Sequence, residues 1–209
     1  MGTFIPILMI FVAYLTGSIP FGLLIGKLKG VDIRAYGSHN IGATNVFRTI
    51  GPWYGVLVFF LDALKSGIFI VLFKYIIPWN APFFTLQIHP LIYGAAAILG
   101  HLFPIYLKFR GGKGISCFAG VMLTYSISLS VVALLTFILV VLITRIVSIS
   151  SILASLALII MYFVLQMNDI YLLVFISIMF VLVLIKHRSN IVRLFKGTEN
   201  KITIKKKKK

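Results

Sequence analysis

The sequence predicts an all-α polytopic membrane protein with seven transmembrane helices, the N-terminus outside and the C-terminus in the cytoplasm. The first observation behind this prediction is composition, because 60% of the 209 residues are hydrophobic and only 11% are charged. The mean hydropathy of +1.08 lies outside the range of soluble globular proteins. The second observation is a series of long apolar stretches, and the third observation is an uneven distribution of positive charge among the loops.

The apolar stretches define the predicted helices in order along the chain. The hydrocarbon core of a bilayer is about 30 Å thick and needs about 20 apolar residues per helix. No basic segment or cleavage site precedes the first stretch, so we expect no cleavable signal peptide. The fourth to sixth helices lie in one apolar run, broken near Arg145 and less clearly at 126–130. Five or six helices are the alternative if one segment is re-entrant. The predicted spans are 4–26, 53–77, 89–107, 114–129, 131–147, 149–167 and 170–186.

The distribution of charge sets the predicted orientation. The chain has twenty Lys and Arg residues against four acids, a formal charge of +16. In a membrane protein this favours cytoplasmic loops that face anionic lipid over nucleic-acid binding. With the N-terminus outside, Lys74 falls near the outer end of the second span. The bases that then fall inside are Lys27, Lys29, Arg34, Arg48, Lys108, Arg110, Lys113, Arg145, Lys186, Arg188, Arg193 and Lys196.

We predict one seven-helix membrane domain over residues 1–200, followed by a basic tail at 201–209. Three cytoplasmic segments interrupt the apolar chain, and we call them the first, second and third motif loops. They cover residues 27–52, 108–114 and 187–200. The lysines at 205–209 are predicted to be solvated near anionic headgroups, with a cloning scar as the alternative.

The motif loops are rich in hydrogen-bond donors and poor in acids, since Asp32 and Glu199 are their only carboxylates. Loops held by internal salt bridges would carry more acids, whereas the oxygens of phosphate only accept hydrogen bonds. The composition therefore predicts phosphate binding. For the polar residues of the first loop taken singly, capping and loop closure are an equally good explanation. Those residues are Ser38, Asn40, Thr44 and Asn45.

The second motif loop has the geometry of an anion cradle. In its GGKG segment the glycines allow consecutive N–H groups to face one concavity, and Lys113 adds a charge there. The helix that follows would direct its positive N-terminal dipole to the same place. The spacing of a nucleotide P-loop is absent, because position 107 is leucine and position 114 is glycine. We therefore exclude ATP binding by that route.

Several catalytic classes are excluded by their motifs. No His-x4-Asp, HExxH or GxSxG segment occurs, and the single cysteine, Cys117, excludes a disulfide within the chain and a thiolate metal cluster. We expect no metal and no cofactor.

Asp62 and Lys65 lie three residues apart on one face of the second span and predict a buried ion pair, with a proton relay as the alternative. His89 and His101 are expected to be satisfied by packing or by a backbone carbonyl.

Four segments together closely resemble the bacterial acyl-phosphate:glycerol-3-phosphate acyltransferase family. The first covers residues 17–51 and begins with GSIPFG. The others are LDALKSG (61–67), GHLFPIYLKFRGGKG (100–114) and HRSNIVRLFKGTEN (187–200), so the resemblance runs almost end to end. It implies seven transmembrane helices in the bacterial cytoplasmic membrane, with the motifs on the cytoplasmic face. It also implies transfer of a fatty acyl group from acyl phosphate to the sn-1 hydroxyl of glycerol 3-phosphate, giving 1-acylglycerol 3-phosphate (lysophosphatidic acid) and phosphate.

On that basis we expect acyl phosphate, glycerol 3-phosphate and membrane lipids as partners, without nucleic acid or an obligate protein partner. His187 is either a general base or a phosphate ligand, and a substrate phosphate oxygen is the preferred proton acceptor. The alternatives are an organophosphate transporter and a non-catalytic scaffold. The predicted catalytic residues are Ser38, Lys113 and His187. The predicted substrate-binding residues are Asn40, Gly42, Thr44, Asn45, Arg48, Lys108, Gly111, Gly112, Gly114, Asn190 and Arg193.

Overall fold

The computed structural model describes residues 4–77, 80 and 85–202, and within these ranges the chain is helical without strands. It divides into two compact units, Met1–Ile127 and Ser128–Lys209. The lysine run at 205–209, predicted to be a solvated tail, lies outside the described residues. The prediction of one membrane domain over 1–200 stays a prediction.

Prolines and short irregular turns set the helix boundaries in the first unit. Pro52 and Pro90 each occupy a first helical turn, where the missing N–H group costs nothing, and Pro20 separates the first two helices. A π-helical turn, Leu72–Ile76, extends the fourth helix. The helices are α1 (Phe4–Gly17), α2 (Phe21–Leu28), α3 (Ala43–Thr49), α4 (Pro52–Val71), α5 (Pro90–Leu102) and α6 (Ile115–Tyr125).

Small residues allow the long helices of the first unit to pack closely. A Cβ atom at Gly17 of α1 would collide with the backbone of Ala97 in α5, and one at Gly120 of α6 would collide with the backbone of Ala63 in α4. Such close backbone approach is typical of helices that pack inside a membrane, where van der Waals contact drives association.

The first and second motif loops lie at the same end of the first unit. A buried cluster joins α2 and α4 to the first loop and is formed by Leu23, Ile25, Ile33, Ile41, Val46 and Val58. Leu107, directly before the second loop, packs against this cluster. Helices α2 and α5 therefore end, and α4 and α6 begin, around one group of polar segments.

The second unit also gathers polar segments at one end. Its helices are α7 (Ile127–Thr144), α8 (Val147–Val164), α9 (Ile170–Lys186) and α10 (Arg188–Phe195). Arg145 adopts a positive φ of 60° and separates α7 from α8. The carbonyl of Arg145 accepts a hydrogen bond of 2.8 Å from the Ile202 N–H group, so the turn after α7 lies beside the C-terminal segment.

Five helical segments of the described residues are long and apolar enough to cross a membrane, and there are six if α9 and α10, which are bent by 60°, count as one segment. The chain is a multi-pass membrane protein. The fourth predicted span, 114–129, is instead the 11-residue helix α6, which covers about 16 Å at 1.5 Å per residue. The helix ends early because Ser126 takes an extended conformation, with φ −144° and ψ 101°. The five segments are Phe4–Leu28, Pro52–Ile76, Pro90–Leu107, Ile127–Thr144 and Val147–Val164.

Side chains from the end of α4 cap this short helix. The Lys74 ammonium donates to the Tyr125 carbonyl at 2.7 Å, and the Tyr75 hydroxyl donates to the Thr124 carbonyl at 3.2 Å. The last carbonyls of a helix lack intrahelical partners. These two donors therefore satisfy groups that a longer α6 would have paired internally.

Candidate active site

Asn45 organises the first motif loop from inside. Its side chain is buried in α3, accepts a hydrogen bond from the Ser38 N–H group at 2.8 Å, and donates to the carbonyls of Ile33 at 2.8 Å and Tyr36 at 3.1 Å. An asparagine amide has two N–H donors, so both are used within the loop. Asn45 therefore shapes the loop with both amide protons, and its predicted contact with substrate stays a prediction.

The residues around Asn45 are polar and half-buried. Ser38 is half-buried, and its hydroxyl has no hydrogen-bond partner among the described residues. Thr44 and Arg48 are half-buried and lie four residues apart, on one face of α3. Asn40 accepts from the Gly42 N–H group at 2.9 Å, which fixes the turn that begins α3. The first loop thus places two hydroxyls and a guanidinium on an ordered backbone.

Asp32, the acid of the first loop, is paired with a neighbouring arginine. Asp32 pairs with Arg34 through hydrogen bonds of 2.9 Å to Nε and 2.7 Å to Nη2. The side-chain hydrogen bond from Arg34, aided by its backbone N–H, lowers the pKa of Asp32 to about 2. The same contact raises the pKa of Arg34. Asp32 is therefore ionised and already occupied at physiological pH.

The second motif loop packs tightly against the end of α5. The Gly112 N–H group donates to the His101 carbonyl at 3.1 Å. A Cβ atom at Gly111 would collide with backbone oxygens of His101 and Leu102, and one at Gly112 would collide with the His101 ring. Both glycines are required by this contact. The predicted cradle of consecutive amides loses the Gly112 N–H group to His101.

The ends of the second loop adopt left-handed backbone conformations. Lys108 and Phe109 have φ values of 51° and 62°, which cost non-glycine residues about 1–2 kcal/mol each. Gly114, with φ 81°, begins α6 directly after the half-buried Lys113. The strained turn and the glycine together place Lys113 at the start of a helix, where the dipole favours an anion.

A buried ionic network lies below the second loop. The Lys65 ammonium is 2.6 Å from Asp62 Oδ1, and each side chain is only 2% exposed. This confirms the predicted pair. Asp62, His101 and Cys117 place ligand atoms within 4.8 Å of one another. The Lys65 ammonium lies 3.1 Å from His101 Nδ1 and 2.6 Å from Asp62 Oδ1, so it contacts two of these three groups.

In the second unit, Glu199 orders the third motif loop. Its buried carboxylate accepts hydrogen bonds from Ser148 at 3.0 Å, from Asn190 at 2.6 Å and from Arg193 Nε at 2.7 Å. Burial of the carboxyl opposes ionisation, but the hydrogen bonds from Asn190, Arg193 and Ser148 outweigh it and lower the pKa of Glu199. Glu199 is therefore an ionised anchor for the two side chains that were predicted to bind substrate.

His187 lies at the junction of α9 and α10. Its ring is buried, and Nδ1 lies 2.8 Å from the Val183 carbonyl, one helical turn earlier. A carbonyl only accepts, so Nδ1 carries the proton and Nε2 of the neutral ring is an acceptor. A backbone carbonyl thus orients this histidine in the role that a carboxylate has in many catalytic sites.

Comparison with known proteins assigns the chain. The family model for glycerol-3-phosphate acyltransferase matches residues 7–197. A glycerol-3-phosphate acyltransferase of Bacillus subtilis (strain 168) is 42% identical over 197 residues, covering 93% of this chain and 96% of that protein. One from Bacillus cytotoxicus is 40% identical over 208 residues, covering 99% of this chain and 100% of that protein. The chain belongs to the glycerol-3-phosphate acyltransferase family.

Solved structures agree with this assignment. Crystal structures of PlsY (YgiH), an integral membrane glycerol 3-phosphate acyltransferase, match this family member with 37% identity over 94% of this chain and 95% of that chain. The TM-score is 0.84 for the glycerol 3-phosphate form and 0.82 for the lysophosphatidic acid form. The family predicted from the four motif segments is thereby confirmed.

Within this family member, the structure brings the first and second motif loops together in one unit and orders the third loop in the other. The approach of the third loop to the first two stays a prediction. Three contributors were not among the predicted site residues: Ser148, which donates to Glu199, and Lys65 and His101, which lie below the second loop. The only advance signal was the Asp62–Lys65 spacing, because the other contacts join residues 36 to 51 positions apart.

Proposed function

We propose that this acyltransferase moves a fatty acyl group from acyl phosphate to the sn-1 hydroxyl of glycerol 3-phosphate. The products are 1-acylglycerol 3-phosphate and inorganic phosphate. The proposal places the enzyme in the bacterial cytoplasmic membrane, with seven crossings, an outer N-terminus, a cytoplasmic C-terminus and its active site on the cytoplasmic face. Solved relatives in glycerol 3-phosphate and lysophosphatidic acid forms support this acceptor and this product.

One observation carries the proposal: every acid of the chain is already engaged, while twenty basic residues balance only four acids. Asp32 pairs with Arg34, Asp62 with Lys65 and Glu199 with Arg193, and Asp169 caps α9 through the Leu172 N–H group. No carboxylate is therefore available to repel phosphate. A donor-rich surface of this kind suits two phosphorylated substrates.

The reaction needs positioning more than strong base catalysis. Acyl phosphate is a mixed anhydride, so its carbonyl carbon is already activated. The sn-1 oxygen attacks that carbon, the carbon–oxygen bond to phosphate breaks, and the hydroxyl proton moves to an oxygen of substrate phosphate. Proximity and stabilisation of developing negative charge can supply the acceleration. The acyl chain stays in the bilayer while its head meets the loops.

We assign the residues to two subsites. Lys113, with the amides of Gly111 and Gly114, holds the donor phosphate at the start of α6, and Lys108 adds positive charge beside them. Ser38, Asn40 and Thr44 face the donor carbonyl, on the backbone that Gly42 and Asn45 shape. Arg48, His187, Asn190 and Arg193 bind glycerol 3-phosphate.

His187 tests how the proton moves. Because Nδ1 is held by Val183, Nε2 can accept a hydrogen bond or a proton from the sn-1 hydroxyl. We expect His187→Gln to retain most of kcat at saturating substrate, since a substrate phosphate oxygen takes the proton. Loss of kcat in both His187→Gln and His187→Ala, with a wild-type pH–rate limb near a pKa of about 6.5, would instead identify a general base.

The proposed function as a whole is tested by the choice of acyl donor. Purified protein in lipid nanodiscs is assayed with acyl phosphate, acyl-CoA and acyl-carrier protein side by side, each with glycerol 3-phosphate. We expect 1-acylglycerol 3-phosphate only with acyl phosphate, and one phosphate released per product. Omission of glycerol 3-phosphate is the control for hydrolysis of the donor. Product formation from acyl-CoA alone would overturn the proposed donor.

A further inference from the structure

Lys65 of α4 makes three buried contacts, one within α4, one with α5 and one with the break between α1 and α2. Its ammonium is 2.6 Å from Asp62 Oδ1, 3.1 Å from His101 Nδ1 and 2.8 Å from the Ile19 carbonyl. A lysine ammonium has three N–H donors. The three contacts of the Lys65 ammonium lie in a buried site, so Lys65 has one well-defined position.

The same buried network holds His101 by one edge of its ring. Its Nδ1 lies 3.1 Å from the Lys65 ammonium and 3.6 Å from Asp62 Oδ1. Both contacts are made on the Nδ1 side, so the Nε2 edge is directed elsewhere.

The Nε2 edge of His101 meets the second motif loop. A Cβ atom at Gly112 would collide with Nε2 and lie within 3.0 Å of Cε1 and Cδ2. The His101 carbonyl also accepts the Gly112 N–H hydrogen bond at 3.1 Å. Ring and carbonyl together form the surface on which the loop rests, one residue before Lys113.

The third contact of Lys65 reaches the segment from which α2 leads to the first motif loop. The Ile19 carbonyl precedes Pro20, in the break between α1 and α2, where the helical hydrogen-bond pattern stops. Helix α2 then carries Leu23 and Ile25 into the cluster that holds Ile33 of the first loop. A single ammonium thus fixes the start of α2 and the support of the second loop together.

We propose that Lys65 and His101 are positioning residues for acyl transfer, which keep the two motif loops in the relative position that the donor phosphate requires. The inference rests on the proposed function and adds two residues outside its substrate contacts. Neither residue touches substrate. Each acts through the loop that it supports, and Lys113 is the group whose placement changes when that support is lost.

The test enlarges the side chain at 112, reduces the side chain at 101, and combines the two changes in a double variant. Gly112 has no positive φ value, so alanine there is excluded only by the His101 ring. We expect Gly112→Ala to raise the KM for acyl phosphate by about tenfold or more, with less than a threefold change for glycerol 3-phosphate. His101→Ala removes the ring and should have the same pattern. The double variant restores space for the new methyl group, and its KM should return most of the way to wild type.

Gly111 supplies the matched control. Its Cβ atom would meet the backbone oxygens of His101 and Leu102 rather than a side chain. His101→Ala therefore cannot rescue Gly111→Ala, and that double variant should be at least as impaired as the single ones. Rescue at 112 but not at 111 identifies the ring contact, because a general loss of folding would affect both pairs and would lower Vmax without changing KM.

The thermal midpoint of the substrate-free protein, measured for the same variants, separates this inference from the proposed function. Rescue of Tm in the 112 pair, together with rescue of KM, supports the proposal. Independent effects of the two substitutions, which would multiply in KM and add in Tm, overturn it. If the wild type fails to use acyl phosphate, the proposed function fails, and the positioning role in acyl transfer fails with it even if Tm is rescued.

Discussion

At the scale of single residues, the four acids explain more of the site than the twenty bases do. Glu199 is the clearest case, because one carboxylate holds Ser148, Asn190 and Arg193. Arg193 is a neighbour within the third motif loop. The sequence could not predict Ser148, which lies 51 residues away and joins the site only through packing of α8 beside α10.

Glu199→Gln should lower Tm in detergent at pH 7 by about 5 °C, because hydrogen bonds to a charged group contribute about 1.5–3 kcal/mol. The pKa of Glu199 is lowered in the folded protein, so its stabilisation is present above the unfolded pKa of about 4.3 and is lost as pH falls through the folded pKa. The Tm difference between wild type and variant should therefore shrink below about pH 4. Ser148→Ala, which removes one donor, is the milder control. A difference that grew on acidification would contradict the assignment.

Lys113→Ala should reduce kcat/KM for acyl phosphate by about 100-fold, because a positioned charge that meets phosphate contributes about as much as an oxyanion-hole donor. The matched control is Lys29→Ala, an exposed lysine at the end of α2 that lies over the Tyr54 ring at 4.8 Å. We expect near-normal kinetics for the control. Equal losses in both variants would attribute the effect to net charge, and normal kinetics in Lys113→Ala would remove the donor-phosphate subsite.

At the scale of elements, boundaries marked by backbone chemistry were predictable and those set by distant contacts were not. Glycine and proline at 51 and 52 mark the start of α4, one residue before the predicted start at 53, and Arg145 separates α7 from α8, where the sequence indicated a break. The end of α6 was placed too late, at 129. An apolar stretch continues there, and what allows α6 to stop is a pair of caps from α4, about 50 residues earlier in the chain.

Those caps predict the stability of α6. Lys74→Met removes the donor to the Tyr125 carbonyl and the cation lying 4.0 Å from the Tyr125 ring centroid. An unpaired carbonyl in low dielectric costs about 1–3 kcal/mol, and we expect Tm to fall by several degrees. Tyr75→Phe keeps the ring and loses only the hydrogen bond to Thr124, so its effect should be smaller. A Tm for Lys74→Met equal to that of wild type would show that α6 needs no cap.

At the scale of the whole molecule, the sequence was most informative about which ligand the loops bind and least informative about the contacts that hold the loops in place. Donor-rich, acid-poor loops predicted phosphate, and the family comparison agrees. The roles of Asn45 and Gly112 were not predictable, because Asn45 is directed inward by carbonyls 9 and 12 residues earlier and Gly112 meets a ring that α5 presents. Residue type indicated what these loops can bind, whereas burial decided which of their polar groups are available to bind it.

The proposed mechanism requires all three motif loops to meet on the cytoplasmic side, and cysteine cross-linking tests this directly. In a Cys117→Ala background, His39→Cys in the first loop is paired with Ser189→Cys in α10, both at exposed positions. We expect a short bis-maleimide to link this pair and a membrane-impermeant maleimide to label both sites from the cytosol. Tyr171→Cys, at the start of α9 and about 25 Å from its end by helical rise, is the matched control; it should remain unlinked to residue 39 and be labelled from outside. Two outcomes would contradict both the orientation and the shared site: linkage of the 39–171 pair instead, or labelling of residues 39 and 189 from opposite sides of the membrane. The reason is that a loop on the other side of the membrane cannot supply Arg193 to a substrate held by Lys113.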